Sequence, residues 1–194
     1  MSRRKSAANS ARKQTPDDYY GSTEVSQFIN MIMHDGKKQL ATSIVRSSFD
    51  RLYAYYMKEM DGKRTIDLVK RDADQSSDEA EVVKLSDLDQ KDAVLRLFDD
   101  VLDKVGPNLE LKSKRIGGAN IQVPIMVQAA RRSTLAMRFI IKNARARKSQ
   151  LKSMEASLAQ EMIDVLKGSA RSLDDKEQTL RMAKANAVFQ GVRR

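Results

Sequence analysis

Apolar side chains recur every three or four residues along most of this chain, the spacing that places them on one face of an α-helix. The first stripe is Val25, Phe28, Ile29 and Ile32. Ser22 or Thr23 precedes it as a candidate N-cap. Asp35-Gly36 follows it as a stop, because glycine readily adopts the left-handed conformation found at helix ends. The sequence therefore predicts a first helix between these two signals.

Two more helices are predicted before the middle of the chain. The second starts at about Lys37, and its apolar face is formed by Ala41, Ile44, Val45 and Leu52. The third covers about residues 91–105, with an apolar face formed by Val94, Leu95, Phe98, Val101, Leu102 and Val105. Gly106-Pro107 ends the third helix, since proline cannot continue one.

After Pro107 the apolar period changes to two, which is typical of β-strands. Two alternating runs, residues 109–114 and 119–128, flank Gly117-Gly118, and this arrangement predicts a β-hairpin with a glycine tip. Pro124 has no backbone N–H to donate, so the ribbon should have an open edge. We expect the apolar row of Ile121, Val123 and Ile125 to pack against the helices and residues 115–120 to project.

Three further helices are predicted after the hairpin. The first of them covers about residues 130–147. The second has an apolar stripe formed by Leu151, Met154, Leu158, Met162 and Val165, and the third has one formed by Leu180, Ala183 and Ala187. Gly168 separates these two, and the spacing Ser172-x-x-Asp175 predicts a capping start for the last helix.

The predicted fold is mainly α: a six-helix bundle with one protruding two-stranded antiparallel β-hairpin between the third and fourth helices. A chain of 194 residues is long enough for one domain with a substantial core. We predict a single helical domain over residues 16–194. An acidic, loop-rich insertion is predicted at about residues 57–90, where ten acids stand against six cations and periodicity is weak.

Residues 1–15 contain five cations and no acid. An organellar transit peptide has a similar composition. The segment lacks an apolar helical face, however, and this favours a flexible basic arm.

Positive charge is concentrated between Pro107 and Lys148, where ten Lys or Arg residues stand against one acid, Glu110. At 100° per residue, four cations of the fourth helix lie within about 60° of one another: Arg131, Arg138, Lys142 and Arg145. Its opposite side is apolar and carries Ala136, Met137, Ile140 and Ala144. Solvated cationic helices normally include acids that reduce self-repulsion, and this one has none. The pattern therefore favours binding to a polyanion, with nucleic acid as the first candidate.

Other kinds of chemistry find little support. The chain has no cysteine, which excludes disulfides and thiolate metal sites, and no apolar run approaches the length of a membrane span. The single histidine, His34, stands beside Asp35 at a helix end, where a hydrogen-bonding role suffices. Phosphate-binding glycine motifs and Ser–His–Asp arrangements do not occur. We predict no enzymatic activity, no metal, no cofactor and no small-molecule substrate.

Five blocks of sequence resemble, in order, the bacterial-type ribosomal protein seven family of the small subunit. They are Phe28–Lys38, Lys112–Pro124, Arg131–Phe139, Lys152–Met154 and Arg181–Phe189. The chain departs from the family pattern at two aromatic positions. Phe139 stands where Trp is typical, and Ile121 stands where Tyr is typical.

The resemblance implies a primary rRNA-binding protein that organises the 3′ major domain of small-subunit rRNA, the head of the subunit. It places the hairpin near exit-site tRNA and the mRNA path, and it implies neighbouring small-subunit proteins as partners, with no membrane. By position in the family motifs, together with the charge pattern, the expected rRNA-binding residues are Arg3, Arg4, Lys5, Arg12, Lys13, Lys37, Lys38, Lys112, Lys114, Arg115, Arg131, Arg132, Arg138, Lys142, Arg145, Arg147, Lys148 and Lys152. The expected tip near tRNA and mRNA is Arg115, Ile116, Gly117, Gly118, Ala119 and Asn120.

Two other functions remain open at this point. A helical DNA-binding protein would present base-reading side chains at the start of a recognition helix, whereas the fourth helix here is cationic over four turns. A helical adaptor for an acidic protein would keep its partner after RNase treatment. The resemblance places the protein in the cytoplasm, in the small ribosomal subunit, and favours a bacterial over an organellar ribosome.

Overall fold

The computed structural model describes residues 15–60, 89–116 and 118–189. In these ranges the chain forms six helices and one antiparallel β-hairpin, which confirms the predicted fold class. The elements are α1 (Thr23–Ile32), α2 (Lys38–Met60), α3 (Gln90–Val105), β1 (Leu109–Ile116), β2 (Ala119–Met126), α4 (Ala129–Leu151), α5 (Met154–Lys167) and α6 (Arg171–Ala185). A 3₁₀ turn, Ala187–Phe189, follows α6.

The helical core is centred on three phenylalanines from three helices. Phe28 of α1, Phe49 of α2 and Phe98 of α3 are fully buried. The ring centroid of Phe98 lies 5.0 Å from that of Phe28 and 5.1 Å from that of Phe49. Aromatic pairs at such distances add to the stability that area burial alone provides. The three helices are therefore joined where their apolar faces meet. Phe49 was not among the residues predicted for the apolar face of α2, and Ile44, which was predicted, is only half-buried.

Side-chain caps mark the starts of two helices. The Ser22 hydroxyl accepts a hydrogen bond from the Val25 N–H at 3.4 Å, and the Ser153 hydroxyl accepts one from the Ala156 N–H at 3.2 Å. Between α1 and α2 the backbone reverses through Asp35 and Gly36, both with positive φ. The predicted stop is therefore confirmed as a turn, although α1 already ends at Ile32.

Three local predictions are corrected by the structure. Helix α2 continues to Met60, so residues 57–60 are helical. At its other end the predicted acidic insertion overlaps α3, since Asp89 is the N-cap and Gln90 the first residue of that helix. Residues 61–88 lie outside the described residues. Leu151 is the exposed last residue of α4 and is not part of the α5 core stripe. Ala187 is an exposed residue of the 3₁₀ turn and not a core position of the last helix.

The predicted capping start of the last helix is also wrong. Helix α6 has Ala170 as its N-cap, and Ser172 lies inside the first turn. The Ser172 N–H and hydroxyl both donate to Oε1 of Glu161, at 3.0 and 2.8 Å. A buried carboxylate from α5 therefore satisfies the start of α6. Local sequence could not reveal it, because the acceptor lies on another helix.

The hairpin pairs Leu109 with Met126 and Ile116 with Ala119. This register puts Lys112 opposite Val123 and Lys114 opposite Ile121. Directly opposed residues of an antiparallel pair point to the same face. The hairpin lysines therefore share a face with the apolar row of β2, where their aliphatic stems are able to cover it.

The base of the hairpin packs against α6. Both strands contact α6, and β2 also contacts the 3₁₀ turn. Val123 is buried and Ile121 and Ile125 are half-buried. The predicted packing of the apolar row onto the rest of the fold is therefore confirmed.

Candidate nucleic-acid interface

Helix α4 has the two faces that its sequence predicts. Ala136, Met137, Ile140 and Ala144 are buried. Arg131, Arg138, Lys142 and Arg145 are exposed. The apolar side anchors α4 in the core, so its cationic side must face solvent along about four turns. This face is the centre of the candidate interface.

Acids from other elements partly compensate the charge of α4. The Arg131 Nε–H donates to Glu110 of β1 at 3.1 Å, and the Lys142 ammonium contacts both carboxylate oxygens of Asp175 in α6 at 3.0 and 3.1 Å. Asp175 also accepts from the Asn143 amide at 2.7 Å. Exposed ion pairs are worth about 0–1 kcal/mol. The two cations are therefore positioned by these pairs and remain available to a stronger anion.

Arg138 and Lys148 are exposed on α4, and no carboxylate in the described part of the chain lies within ion-pair distance of either. Arg145 is exposed as well, and its closest described partner is the Ile32 carbonyl, which accepts from Nη2 at 3.5 Å. A guanidinium held by such a long bond keeps most of its donors free. These three residues carry the least compensated charge of α4.

Arg132 has a structural position at the end of α3. Its guanidinium donates to the carbonyls of Asp103 at 3.0 Å and Gly106 at 3.3 Å. A Cβ on Gly106 would lie 2.6 Å from Cγ of Arg132. Because φ of Gly106 is −62°, glycine is required here for space and not for a left-handed backbone. The Lys176 ammonium donates to the neighbouring Lys104 carbonyl. Burial, and then the charge of Arg132, lowers the pKa of Lys176.

Arg147 points away from the exposed face of α4. Its side chain is only 14% exposed, forms an ion pair with Asp164, and lies 3.4 Å from Oε2 of Glu161. Glu161 is fully buried, and this oxygen makes no hydrogen bond within the described residues. Arg147 therefore neutralises two carboxylates of α5. The structure does not bring it together with the rest of the predicted rRNA-binding set.

The hairpin cations divide between two positions. Lys112 and Arg115 are exposed, whereas Lys114 is half-buried and has interactions of its own. Arg115 is paired with Asn120, one residue pair from the turn. Gly118 has a φ of 91°, the left-handed conformation that a tight turn requires. The structure does not describe Gly117 or the side chains of Ile116 and Ala119.

The remaining predicted cations lie at the starts and ends of helices. Lys37 and Lys38 are exposed at the start of α2, and Lys152 is exposed with positive φ at the end of α4. The predicted arm residues Arg3, Arg4, Lys5, Arg12 and Lys13 lie outside the described residues.

Sequence reasoning missed the acids that organise this surface. Asp175 positions Lys142, and Glu161 and Asp164 remove Arg147 from the exposed face. In the sequence, these three residues are visible only as acids on helices that follow α4. Without the packing of α4 against α5 and α6, that signal is indistinguishable from an ordinary surface charge.

Groups of metal-binding side chains and helices able to span a membrane are not found among the described residues. These residues contain no group of three His, Asp or Glu side chains with the spacing of a metal site. His34 is exposed, and its Nδ1 lies 3.0 Å from the Asp35 carboxylate. None of the described helices combines the length and the hydropathy needed to cross a bilayer.

Comparison with known proteins gives a consistent result. The family model described as "Ribosomal protein S7p/S5e" matches residues 2–187. Among the similar proteins are those named "Small ribosomal subunit protein uS7" from Acidiphilium cryptum (35% identity, covering 97% of both chains) and Francisella philomiragia (36%, again 97% of both). The protein of the same name from Blochmanniella floridana is 36% identical over 89% of this chain and 88% of its own.

Proposed function

The chain belongs to the S7p/S5e family of ribosomal proteins, and from that premise we propose that it organises the 3′ major domain of small-subunit rRNA, the head of the subunit. Family membership makes it a structural protein of the small ribosomal subunit with a role in translation, and not an enzyme. Binding to rRNA and to neighbouring ribosomal proteins is part of that role. Its place of action is the cytoplasm of a bacterium.

The exposed cationic face of α4 is the observation that carries the proposal. Arg138, Arg145 and Lys148 occupy one helix whose other side is locked in the core. Folded RNA presents mainly phosphates and 2′-hydroxyls, because its deep major groove hides the base edges. A rigid row of cations therefore suits recognition of RNA shape, with the phosphates supplying most of the affinity.

The experiment is a binding comparison with two transcribed domains of small-subunit rRNA. The purified chain should bind the 3′ major domain at least about a hundredfold more tightly than the 5′ domain at the same salt concentration, since specific binding typically exceeds nonspecific binding by about 10³ or more. Equal affinity for the two domains would show general attraction to RNA and would contradict a role in organising the head.

We also propose that the hairpin tip lies near exit-site tRNA and the mRNA path. The supporting features are the exposed Arg115 beside the turn, the left-handed Gly118 and a base that is packed on α6. An isolated two-stranded ribbon is marginally stable, so the base needs the helices while the tip is free to contact another molecule.

Removing the tip tests this placement. A variant in which a short turn replaces Ile116–Ala119 should still enter small subunits, but it should impair exit-site tRNA retention or reading-frame maintenance. The measurement compares subunit incorporation and frameshifting in cells that contain only the variant. A variant that fails to enter subunits would assign the tip to rRNA anchoring instead.

A further inference from the structure

The chain enters the hairpin through a short buried junction at the end of α3. Helix α3 ends at Val105, and β1 begins at Leu109. Gly106 and Pro107, which lie between them, are buried. The last four carbonyls of a helix have no partner within that helix, and a buried junction cannot rely on water to supply one. The direction in which the hairpin leaves the helices therefore depends on the groups that bind these carbonyls.

Two cations from other helices bind the carbonyls of this junction. The Arg132 guanidinium of α4 donates to the carbonyls of Asp103 and Gly106, at 3.0 and 3.3 Å. The Lys176 ammonium of α6 donates to the Lys104 carbonyl. Cations near a helix C-terminus are favoured by the helix dipole, which offsets the repulsion between two like charges. The end of α3 is therefore tied to α4 and to α6 at once.

The Arg132 side chain lies directly across the backbone of Gly106. A Cβ at position 106 would lie 2.6 Å from Cγ and 2.8 Å from Nε of Arg132, closer than the roughly 3.5–4.0 Å at which such atoms pack. Arg132 is half-buried, and its charge, after burial, contributes to the lowered pKa of Lys176. The two side chains therefore share one crowded site at the junction.

Neighbouring contacts attach the two strands to the same part of the fold. Arg131, next to Arg132 on α4, donates to Glu110 of β1 at 3.1 Å. The Val127 N–H donates to the Asn108 carbonyl at 3.0 Å and closes the base of the ribbon. Both strands also pack against α6. Because an exposed ion pair restrains a strand only weakly, the half-buried Arg132 is the stronger of the two arginine contacts.

We propose that Arg132 and Lys176 are positioning residues of the hairpin: by holding the end of α3, they fix the angle at which the ribbon leaves the six helices. The inference rests on the proposed placement of the hairpin tip and extends it to the residues that aim the tip. Arg132 then serves the RNA interface through the hairpin and not through a phosphate contact of its own. A strand of eight residues is about 25 Å long, so a swing of about 10° at its base moves the tip by about 4 Å.

Distances between paired nitroxide labels, measured by double electron–electron resonance, test the proposal on the purified full chain. The chain has no cysteine, so two introduced cysteines are its only labelling sites. One pair, Ala54→Cys with Asn120→Cys, joins exposed positions of α2 and β2 and reports the hairpin. A second pair, Ala54→Cys with Lys148→Cys, joins exposed positions of α2 and α4 and reports the packing of the helices.

Two substitutions disturb the Arg132 contacts in different ways. Arg132→Gln removes the guanidinium, whereas Gly106→Ala keeps the charge and places a methyl group where the Arg132 side chain lies. Each should widen the distribution of hairpin distances by about 4 Å, the displacement expected for a swing of about 10°. Each should leave the distribution for the helix pair unchanged.

Lys176→Met tests the second positioning residue. It keeps an apolar stem and removes the ammonium, so one of the three described side-chain bonds to the junction is lost. The hairpin distribution should widen, by less than for Arg132→Gln. Lys184→Met is the matched control, because Lys184 is an exposed lysine of the same helix, and it should change neither distribution. Equal effects of the two Met substitutions would remove Lys176 from the proposal.

Three results would overturn the role of Arg132. The first is a hairpin distribution that stays as narrow in the Arg132→Gln and Gly106→Ala variants as in the unsubstituted chain. The second is broadening for both label pairs, because the contacts would then hold the whole fold and not the hairpin in particular. The third is broadening by Arg132→Gln alone, which would assign the effect to charge and not to the position of the side chain.

The label distances involve neither RNA nor tRNA, so they separate this inference from the proposed function. In cells that contain only the Gly106→Ala variant, subunit incorporation should be retained and frameshifting should rise, as it should after removal of the tip. Normal frameshifting in the Gly106→Ala cells, with raised frameshifting after tip removal, would overturn the aiming role. Normal frameshifting in both would contradict the proposed placement of the tip, while the label distances would still decide what fixes the hairpin.

Discussion

Replacing Arg147 should destabilise the fold while leaving the RNA-binding surface intact. Arg147 lies between Asp164 and the fully buried Glu161, and its own side chain is 14% exposed. Arg147→Gln removes the positive charge and leaves two poorly solvated carboxylates facing each other. Breaking a buried ion pair by removing one partner typically costs about 3–5 kcal/mol.

This cost converts into a large change in melting temperature. For a domain of this size, 1 kcal/mol corresponds to about 2–4 °C, so we expect Tm to fall by about 6–20 °C. Urea denaturation should show the same loss with an unchanged m-value. Well below its Tm, the Arg147→Gln variant should bind rRNA within about threefold of wild type, because the guanidinium faces α5 and not solvent.

A second substitution tests the cause. Asp164→Asn in the Arg147→Gln background removes one of the two repelling carboxylates, so it should restore part of the lost stability. A fall in Tm of less than about 3 °C, or a selective loss of rRNA affinity at full stability, would refute the structural role of Arg147. That result would return Arg147 to the rRNA-contacting set.

Three further predictions follow from the structure. Changing both Arg138 and Lys142 to Gln should lower rRNA affinity substantially and keep Tm within a few degrees, because exposed charges contribute about ±0.5 kcal/mol each. If the double variant unfolds and its remaining folded fraction binds rRNA normally, the two residues have a structural role instead. Deleting residues 62–77, within the acidic segment outside the described residues, should leave rRNA affinity unchanged or slightly higher, and a tenfold drop in a well-folded variant would contradict this. Burial, and then the charge of Asp50, raises the pKa of Tyr20 to about 12. The pKa of Tyr20 in the folded state is above its unfolded value, so Tyr20 has its full stabilising effect below about pH 10. Between about pH 10 and pH 12 the free energy of unfolding should fall by up to about 2–3 kcal/mol. A Tyr20→Phe variant should not show this fall when the two proteins are denatured in parallel over the same pH range.

The fold was predictable because its signals are local. The stripe of Val25, Phe28, Ile29 and Ile32 is buried as its spacing predicts, and the two strands pair up to Ile116 and Ala119, on either side of the predicted turn. Periodicity and turn chemistry depend on neighbouring residues, so the sequence alone is sufficient for them. The end of α2 was harder to predict, because residues 57–60 continue the helix with charged and apolar residues in no clear period.

The candidate site was predictable only in part, because the sequence shows which residues are charged but not which charges meet. Arg138 and Arg147 both belong to the cationic run of α4, yet one is exposed and the other lies against two carboxylates. A helix of 3.6 residues per turn separates them by 180°, and this places Arg147 towards α5. The capping of α6 by Glu161 escaped prediction for the same reason, since its partner lies eleven residues away on another helix.

The central claim is that rRNA phosphates are bound by the exposed Lys and Arg residues of α4, the hairpin and the start of α2. The predicted basic arm, residues 1–15, is expected to contribute to the same interaction. The most direct measurement is the affinity of the full chain for 3′ major domain rRNA in a filter-binding series between 50 and 200 mM salt. With about six to ten phosphate contacts, affinity should fall by ~10³–10⁵ over this range. A change of less than about tenfold would contradict the account, because it would mean that the exposed cations do not carry the interaction.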